Sequence, residues 1–235
     1  MGEGEQIKDY SKFWKEHFDH NAQKYSSMLK QVDMTINGQD VPEDQVKLRV
    51  DSIIRNLNLN QSDEIIDLCC GNGLLTKRIS YFVQKIYAFD LSDKLIEVAM
   101  KESSAPNILY FVKDVTDIDF LSFKSVTKVN FYSCIQYINI EKFNKLLTNL
   151  AKMEKVTMYV SNVPDKHKIW DYYDTPEKKE FYLQSIKKNQ PHIGTWYVKD
   201  ELKELAKING FNIEFLEIEK ERNTSYYRFD FLVYK

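Results

Sequence analysis

The sequence predicts one α/β domain whose central sheet is mostly parallel. Short apolar runs typical of buried strands alternate with segments of helical period between residues 64 and 160. This alternation is typical of parallel strands joined by right-handed crossover connections. Two later strand-like runs, residues 212–219 and 228–234, have no helical segment between them. We therefore expect these two runs to pair as an antiparallel hairpin.

Length and composition indicate a domain with a sizeable core. The chain has 235 residues, of which 43% are hydrophobic, and a net charge of -2. A nearly neutral chain lacks the basic field that attracts nucleic acid, so no nucleic-acid partner is expected. No apolar run approaches the roughly 18 residues of a membrane-spanning helix, and the N-terminus has no apolar signal segment. These features favour a cytoplasmic protein with no membrane segment.

The chain has three cysteines, two of them adjacent at Cys69 and Cys70. Their number and spacing match neither a disulfide framework nor a set of metal ligands. We therefore expect reduced thiols and no metal site, with Cys134 packing at the end of a strand.

A turn with two glycines follows the first predicted strand, residues 65–68. Asp67 lies near the carboxyl end of this strand, and Gly71 and Gly73 allow a sharp bend and the close approach of a ligand. A dinucleotide site would have a further glycine three residues after Gly73, which is absent here. A carboxylate at this place also disfavours a pyrophosphate. The turn therefore predicts a nucleotide-like ligand that carries a positive charge, such as an ammonium group.

Three further strands end in polar residues at the expected carboxyl edge of the sheet. The second ends at Asp90, roughly 20 residues after the glycine turn, where a carboxylate is placed to accept hydrogen bonds from ribose hydroxyls. The third, residues 108–113, ends at Asp114 and Val115. The fourth, residues 129–134, leads into the segment 135–137.

The run Asp67-x-Cys69-x-Gly71-x-Gly73 resembles the first motif of class I S-adenosylmethionine-dependent methyltransferases, with Cys69 replacing the first glycine. The resemblance implies a Rossmann-like, seven-stranded, mostly parallel sheet with an antiparallel C-terminal hairpin, and S-adenosylmethionine as the cofactor. It assigns the methionine part to Asp67, the ribose to Asp90 and the adenine to Asp114 and Val115. The expected cofactor-binding residues are Asp67, Cys69, Gly71, Gly73, Asp90, Leu91, Asp114, Val115, Ser133, Tyr25 and Gln31.

The segment before the first strand, residues 1–60, is expected to be helical. An aromatic face at Phe13, Trp14, His17 and Phe18 belongs to a helix that starts near Asp9. This face either packs on the core or covers the cofactor, since methyltransferases of this class often have an N-terminal helical lid.

Residues 31–43 carry a narrower resemblance. Together with the later run His192-x-Gly194-Thr195-Trp196, they are similar to small-molecule methyltransferases of bacterial polysaccharide gene clusters. This resemblance implies a sugar, a nucleotide sugar or a related small metabolite as the methyl acceptor.

The strand–helix alternation stops after the fifth strand, residues 156–160. We divide the single domain into residues 1–60, a cofactor-binding half at 61–164, an insertion at 165–198 and a C-terminal helix and hairpin at 199–235. The insertion is rich in aromatic and charged residues. Extra material after the carboxyl ends of parallel strands lies over the ligand crevice, so the insertion is expected to bind the acceptor.

Methyl transfer from a sulfonium needs alignment and, for some oxygen acceptors, a base. We expect His192 to be the base and Tyr132 to be a second catalytic residue, although His192 could instead be a structural histidine beside Trp196. The expected substrate-binding residues are Trp196, Tyr137, Tyr197 and His167. His167 could equally be a solvated loop residue.

Positive charges concentrate in the insertion at Lys166, Lys168, Lys178, Lys179, Lys187 and Lys188. They either form a solvated surface or recognise a phosphate or sugar carboxylate of the acceptor. Arg222 and Arg228 in the last hairpin are weaker candidates for that recognition. Two other functions stay open: an RNA or protein methyltransferase, and a protein that binds a nucleotide cofactor without methyl transfer.

Overall fold

The structure, a computed structural model, describes residues 9–235. Its strands are β1 (Thr35–Ile36), β2 (Gln39–Asp40), β3 (Glu64–Leu68), β4 (Lys85–Asp90), β5 (Ile108–Val112), β6 (Val126–Tyr132), β7 (Thr157–Pro164), β8 (Asn212–Leu216) and β9 (Arg228–Tyr234). Its α-helices are α1 (Ser11–Lys24), α2 (Met28–Gln31), α3 (Glu43–Asn56), α4 (Leu74–Ile79), α5 (Asp93–Glu102), α6 (Ile140–Leu150), α7 (Ile169–Tyr172), α8 (Pro176–Lys187) and α9 (Lys199–Ile208).

Seven of these strands form one sheet in the order β5-β4-β3-β6-β7-β9-β8. The first five strands of this order are parallel, whereas β9 is antiparallel to both β7 and β8. The predicted seven-stranded sheet with an antiparallel C-terminal hairpin is therefore confirmed. The order reverses between β3 and β6, and this reversal opens a ligand crevice at the carboxyl ends of the two strands.

Helices cover both faces of the sheet because the central strands are apolar on both sides. Successive side chains of a strand point to opposite faces, so Ile65 packs with Val46 and Ile53 of α3. Ile66 and Leu68 belong to the second core, which includes α6 and α9. The two cores hold the carboxyl edge of β3 in a fixed position.

Several strand ends differ from the prediction by a few residues. The fourth sheet strand along the chain begins earlier, at Val126, and ends at Tyr132, while β7 continues to Pro164. The run predicted as a strand to residue 219 stops at Leu216. Glu219 instead accepts hydrogen bonds from Ser52 and Arg55 of α3, which draws this part of the chain away from the sheet.

Helix α1 packs at the carboxyl edge of the sheet. Lys15 pairs with Asp93 at the start of α5, at 2.5 Å. Asp19 accepts a hydrogen bond from Ser92 Oγ at 2.6 Å. Trp14 is buried against the ring of Tyr137, with ring centroids 4.6 Å apart. The helix thus packs on the domain and also closes the crevice from above.

The insertion leaves β7 and returns beside the same strand end. Lys166 donates its backbone N–H to Tyr197, and Tyr197 donates its own to Pro164, each at 2.9 Å. Gly194 crosses the turn that follows β6 at a φ of +101°, and Thr195 N–H donates to the carbonyl oxygen of Gln136 at 2.8 Å. The insertion is therefore attached to the sheet at both of its ends.

We expect Gly194→Ala to lower the free energy of unfolding by about 1–3 kcal/mol, because strained backbone and overpacking each cost about that much. A Cβ at this position would lie 2.2 Å from the Gln136 carbonyl oxygen. Urea denaturation measures the loss. Gly38→Ala is the matched control, since Gly38 also has a positive φ but a Cβ there meets no atom within 4 Å. Equal losses for the two variants would contradict the steric account.

The prediction of reduced thiols is wrong for two of the three cysteines. Cys69 and Cys134 form a disulfide whose Cα atoms are 6.1 Å apart, and Cys70 stays free. The parallel neighbours β3 and β6 end side by side, so the residues that follow them meet although 65 positions separate them in sequence. Sequence spacing alone could not reveal this contact.

Two absences concern the described part of the chain, residues 9–235. No helix in this part is long and apolar enough to cross a membrane. No group of three or more His, Cys, Asp or Glu side chains in it is placed to hold a metal ion.

Candidate active site

A cavity of about 830 Å³ opens at the carboxyl edge of the sheet, where β3, β4 and β6 end. Helix α1, the glycine turn, the turn after β6, the insertion and the β8–β9 connection all contribute to its walls. Its acidic wall contains Asp67, Asp90 and Asp114, as predicted. Leu91, Val115 and Ser133, also predicted cofactor residues, line the same cavity.

Asp67 is buried at the end of β3 and is held by two side chains. Thr76 Oγ donates to one carboxylate oxygen at 2.6 Å, and Asn130 Nδ2 donates to the other at 2.7 Å. Burial raises the pKa of Asp67 to about 6, although both hydrogen bonds act in the opposite direction. A cationic group entering the cavity would stabilise the ionised carboxylate and lower this pKa.

If Asp67 holds the cofactor ammonium, affinity for S-adenosylhomocysteine should fall as the pH drops below about 6. The raised pKa means that the carboxylate gains a proton in this range, while the ligand ammonium keeps its charge. Calorimetric dissociation constants between pH 5 and pH 8 measure the effect. Asp67→Asn should flatten the profile, and a wild-type profile that is already flat would contradict this role.

The glycine turn is held against the end of β4. Gly71, at a φ of +57°, donates its N–H to Asp90 Oδ2 at 2.8 Å. Cys69 also has a positive φ, of +55°, which lies in the left-handed region that favours glycine. Gly71 and Cys69 line the cavity.

Gly73 has a different reason for being glycine. It does not line the cavity, and a Cβ at its position would lie 2.4 Å from the hydroxyl oxygen of Tyr110 and 2.7 Å from Ser103 Cβ. Close packing between the turn and its neighbours therefore accounts for Gly73, and the prediction that it contacts the cofactor is not supported by its position.

Asp90 and Asp114 mark the ends of β4 and β5. Asp90 Oδ1 accepts the Ser92 N–H at 2.9 Å, and burial raises the pKa of Asp90. Burial acts in the same direction at Asp114, but hydrogen bonds from Thr116 and the ion pair with Lys142 at 3.2 Å lower its pKa overall. Both carboxylates thus stand in the wall where parallel strands present polar groups to a ligand.

The other wall of the cavity contains Tyr132, Tyr137 and His192 of the predicted catalytic and substrate residues. The Tyr132 hydroxyl is buried and has no hydrogen-bond partner among residues 9–235. His192 stands at the solvent-exposed rim with Nδ1 3.2 Å from the hydroxyl of Tyr173. Desolvation by the surrounding aromatic residues lowers the pKa of His192, so the neutral ring can accept a proton near neutral pH.

Tyr197, Trp196 and His167 do not line the cavity. Tyr197 is buried in the core, where its hydroxyl donates to the carbonyl oxygens of Ile135 and Ile138. Its assignment to the substrate is therefore wrong, and it fixes the turn after β6. Trp196 packs behind the wall with its ring centroid 5.9 Å from that of Tyr227. His167 is exposed in a short 3-10 turn.

Tyr25 and Gln31 also lie outside the cavity, contrary to prediction. Gln31 Nε2 donates to the carbonyl oxygen of Tyr25, and its own Oε1 accepts from Asn72 Nδ2 at 2.9 Å. Because Asn72 belongs to the glycine turn, Gln31 supports the cofactor wall from behind. In the sequence, Gln31 belongs to the segment that resembles other methyltransferases. That resemblance does not distinguish a residue that supports the glycine turn from one that contacts the ligand.

Several residues that line the cavity are not predicted from the sequence, or are predicted only as weaker candidates. Asn130 interrupts an apolar strand, and this interruption could have indicated its contact with Asp67. Arg49 lies between Val46 and Val50 on the apolar face of α3, an unusual position for a charge. For recognition of an anion, the sequence makes Arg228 a weaker candidate than the lysines of the insertion. In the structure, Arg228 lines the cavity and those lysines lie outside it.

The cofactor half of the chain matches a known family. Residues 65–156 match the family model described as "Methyltransferase domain". A probable cobalt-precorrin-6B C(15)-methyltransferase (decarboxylating) from Methanocaldococcus jannaschii is 28% identical over 54% of this chain and 72% of its own length.

Solved methyltransferase structures share the whole fold. A SAM-dependent methyltransferase from Anabaena variabilis superposes with a TM-score of 0.69 at 17% identity, covering 100% of this chain and 98% of that one. Magnesium protoporphyrin IX methyltransferase from Synechocystis, solved with bound SAH, gives a TM-score of 0.63 at 14% identity, covering 97% of this chain and 100% of that one. These structures show that the chain has the class I methyltransferase fold. Together with the matched domain and the names of the relatives, they indicate a SAM-dependent methyltransferase.

Proposed function

We propose that this enzyme transfers the methyl group to an oxygen or nitrogen atom of a small molecule. The observation that carries the proposal is a cavity whose lining combines the acids Asp67, Asp90 and Asp114 with the ring side chains of Tyr132, Tyr137 and His192. A cavity of this volume holds small ligands. Helix α1 covers the cavity, so we propose that it acts as a lid that limits access of water.

The residues present fit the cofactor. Asp67 would take the methionine ammonium, Asp90 the ribose hydroxyls and Asp114 the adenine amino group, with Val115 against the ring. S-adenosylmethionine supplies a methyl group on a sulfonium, which an acceptor takes by in-line displacement. The task of the aromatic wall is to hold the acceptor atom in line and to exclude water, the alignment that lowers the barrier.

We propose His192 as the base that takes a proton from an oxygen acceptor, and Tyr132, whose side chain lines the cavity, as a residue that positions the acceptor. His192→Ala should lower turnover by about 100-fold or more, the usual contribution of a general base, while affinity for S-adenosylhomocysteine stays within twofold. Turnover and calorimetric affinity are measured on the same preparation.

His167→Ala is the matched control because His167 is exposed and lies outside the cavity. It should leave both quantities unchanged. A His192→Ala variant that keeps its turnover but loses cofactor affinity would make His192 a pocket residue and not a base.

The acceptor class is the finer part of the proposal. The resemblance at residues 31–43 favours a sugar, a nucleotide sugar or a phosphorylated metabolite of surface-polysaccharide synthesis, and the relatives' names add precorrin and protoporphyrin compounds as compounds to screen. An assay of S-adenosylhomocysteine production with these compounds, with RNA and with a protein extract as further arms, tests the proposal. Methylation of RNA or protein alone would overturn the small-molecule assignment.

A further inference from the structure

The cavity is lined by four acids, Asp33, Asp67, Asp90 and Asp114, and by three cations, Lys15, Arg49 and Arg228. The two guanidinium groups are carried by α3 and β9. These two side chains are only 3% and 8% exposed. Within residues 9–235, neither forms a salt bridge with a carboxylate. Buried arginines are usually paired, because removing a charge from water without a counter-charge is costly.

Arg228 has an incompletely satisfied guanidinium. One of its terminal nitrogens donates to the carbonyl oxygen of Asn162, and its Cζ lies 4.9 Å from the ring centroid of Tyr227. Its Nε is buried and has no hydrogen-bond partner among the described residues. Although Nε is enclosed by protein, the side chain lines the cavity, and a planar guanidinium donates to carboxylate or phosphate oxygens in a fork.

The positive charge of Arg228 affects the pKa values of two tyrosines that line the cavity. Burial raises the pKa of Tyr172 to about 12, and Arg228 acts against this rise. Burial likewise raises the pKa of Tyr137 on the opposite side, under helix α1, and Arg228 again acts against it. Both tyrosines line the cavity. The guanidinium is thus close to the space that an acceptor would occupy.

The sheet order separates Arg228 from the cofactor wall. Three strand spacings lie between β3, which carries Asp67, and β9, or roughly 14 Å at about 4.8 Å per strand. The cofactor ammonium and carboxylate are bonded to the same carbon atom. If Asp67 holds the ammonium, the carboxylate stays near β3 and the cofactor does not supply the missing counter-charge of Arg228.

We propose that the methyl acceptor is an anion whose carboxylate or phosphate group binds Arg228, with the rest of the molecule against the rings of Tyr172 and Tyr227. This inference rests on the proposed methyltransferase function and narrows its substrate class. Arg49 lines the same cavity and is positioned by a hydrogen bond to Asn223 Oδ1 at 2.6 Å.

The test uses protein saturated with S-adenosylhomocysteine, and the probes are inorganic phosphate, benzoate and the neutral benzamide. Calorimetry on the wild type should detect phosphate or benzoate and give at least about tenfold weaker binding of benzamide, as expected for loss of a charge-assisted contact. Arg228→Gln should weaken the binding of the anion by a similar factor, and Arg228→Lys by less. Lys178→Gln, an exposed lysine of the insertion outside the cavity, is the matched control and should change nothing.

Each outcome decides the question. Wild-type protein that binds neither anion, or binds benzamide as well as benzoate, would overturn the inference without any variant being needed. Loss of S-adenosylhomocysteine affinity in Arg228→Gln with unchanged anion binding would assign Arg228 to the cofactor. Equal loss of anion binding in Lys178→Gln would assign the anion to the surface. Failure of the wild type to bind S-adenosylhomocysteine would instead overturn the proposed function.

Discussion

Arg222→Met should lower the free energy of unfolding by about 3–5 kcal/mol, the usual cost of breaking a buried ion pair from one side. Arg222 and Asp230 are each 1% exposed, and the guanidinium donates to both oxygens of the carboxylate at 2.9–3.2 Å. Burial raises the pKa of Asp230, and the charge of Arg222 opposes that rise. Methionine would leave the carboxylate buried without its counter-charge. Urea denaturation at neutral pH measures the loss.

Two further variants make the result specific. Arg55→Met removes an exposed guanidinium that pairs with Glu219, and the loss should stay below about 1 kcal/mol. The double variant Arg222→Met/Asp230→Leu should recover much of the stability, because no buried charge remains unpaired. An Arg222→Met variant as stable as Arg55→Met would contradict the account.

The same pair supports the acceptor end of the cavity. Asp230 also accepts the backbone N–H of Asn162 at 2.7 Å, and the carbonyl oxygen of Asn162 accepts a hydrogen bond from Arg228. The side-chain oxygen of Asn162 accepts from Thr224 at 2.7 Å. We therefore expect stable Arg222 variants to show altered acceptor kinetics before altered cofactor affinity.

Asp90→Ala should weaken binding of S-adenosylhomocysteine by about 1–3 kcal/mol, or roughly 5- to 150-fold, because hydrogen bonds from ribose hydroxyls to a buried carboxylate are lost. The substitution also removes the acceptor of the Gly71 and Ser92 N–H groups, so the glycine turn loses an anchor. Both effects reduce affinity. Isothermal titration of each variant with S-adenosylhomocysteine gives the difference directly.

Asp117→Ala is the matched control for Asp90. Asp117 is an acid that pairs with Lys145 at the surface and lies outside the cavity. Its loss should leave affinity within twofold of the wild type. A folded Asp90→Ala protein with unchanged affinity would show that the carboxyl end of β4 does not hold the ribose.

The sheet could be predicted from the sequence because local patterns determine it. Each parallel strand is an apolar run with a polar residue at or next to its carboxyl end, and β9 runs from Arg228 to Tyr234 as predicted. Strand ends were less certain, since β8 stops at Leu216 because of side chains on α3 that are distant in sequence. The Cys69–Cys134 disulfide likewise depends on which strands become neighbours, which spacing does not encode.

The acidic wall was predictable for the same reason, whereas the aromatic wall was not. Asp67 and Asp90 lie at the carboxyl ends of β3 and β4, and the positions of these strands fix where their carboxylates lie. Tyr197 was taken for a substrate residue, but its hydroxyl reaches carbonyl groups about 60 positions away in sequence. The burial of Arg228 depends on Asn162, 66 positions away. Among 15 tyrosines and six lysines of similar local context, composition cannot identify those that face the cavity.

Calorimetric titration of the wild-type protein with S-adenosylhomocysteine, with NAD in a parallel cell, tests the central claim most directly. The acidic wall and the absence of a third glycine in the turn predict saturable binding of S-adenosylhomocysteine at one site and no binding of NAD. Binding of NAD alone would contradict the assignment of Asp67 to a cationic ligand and, with it, the methyl-transfer account.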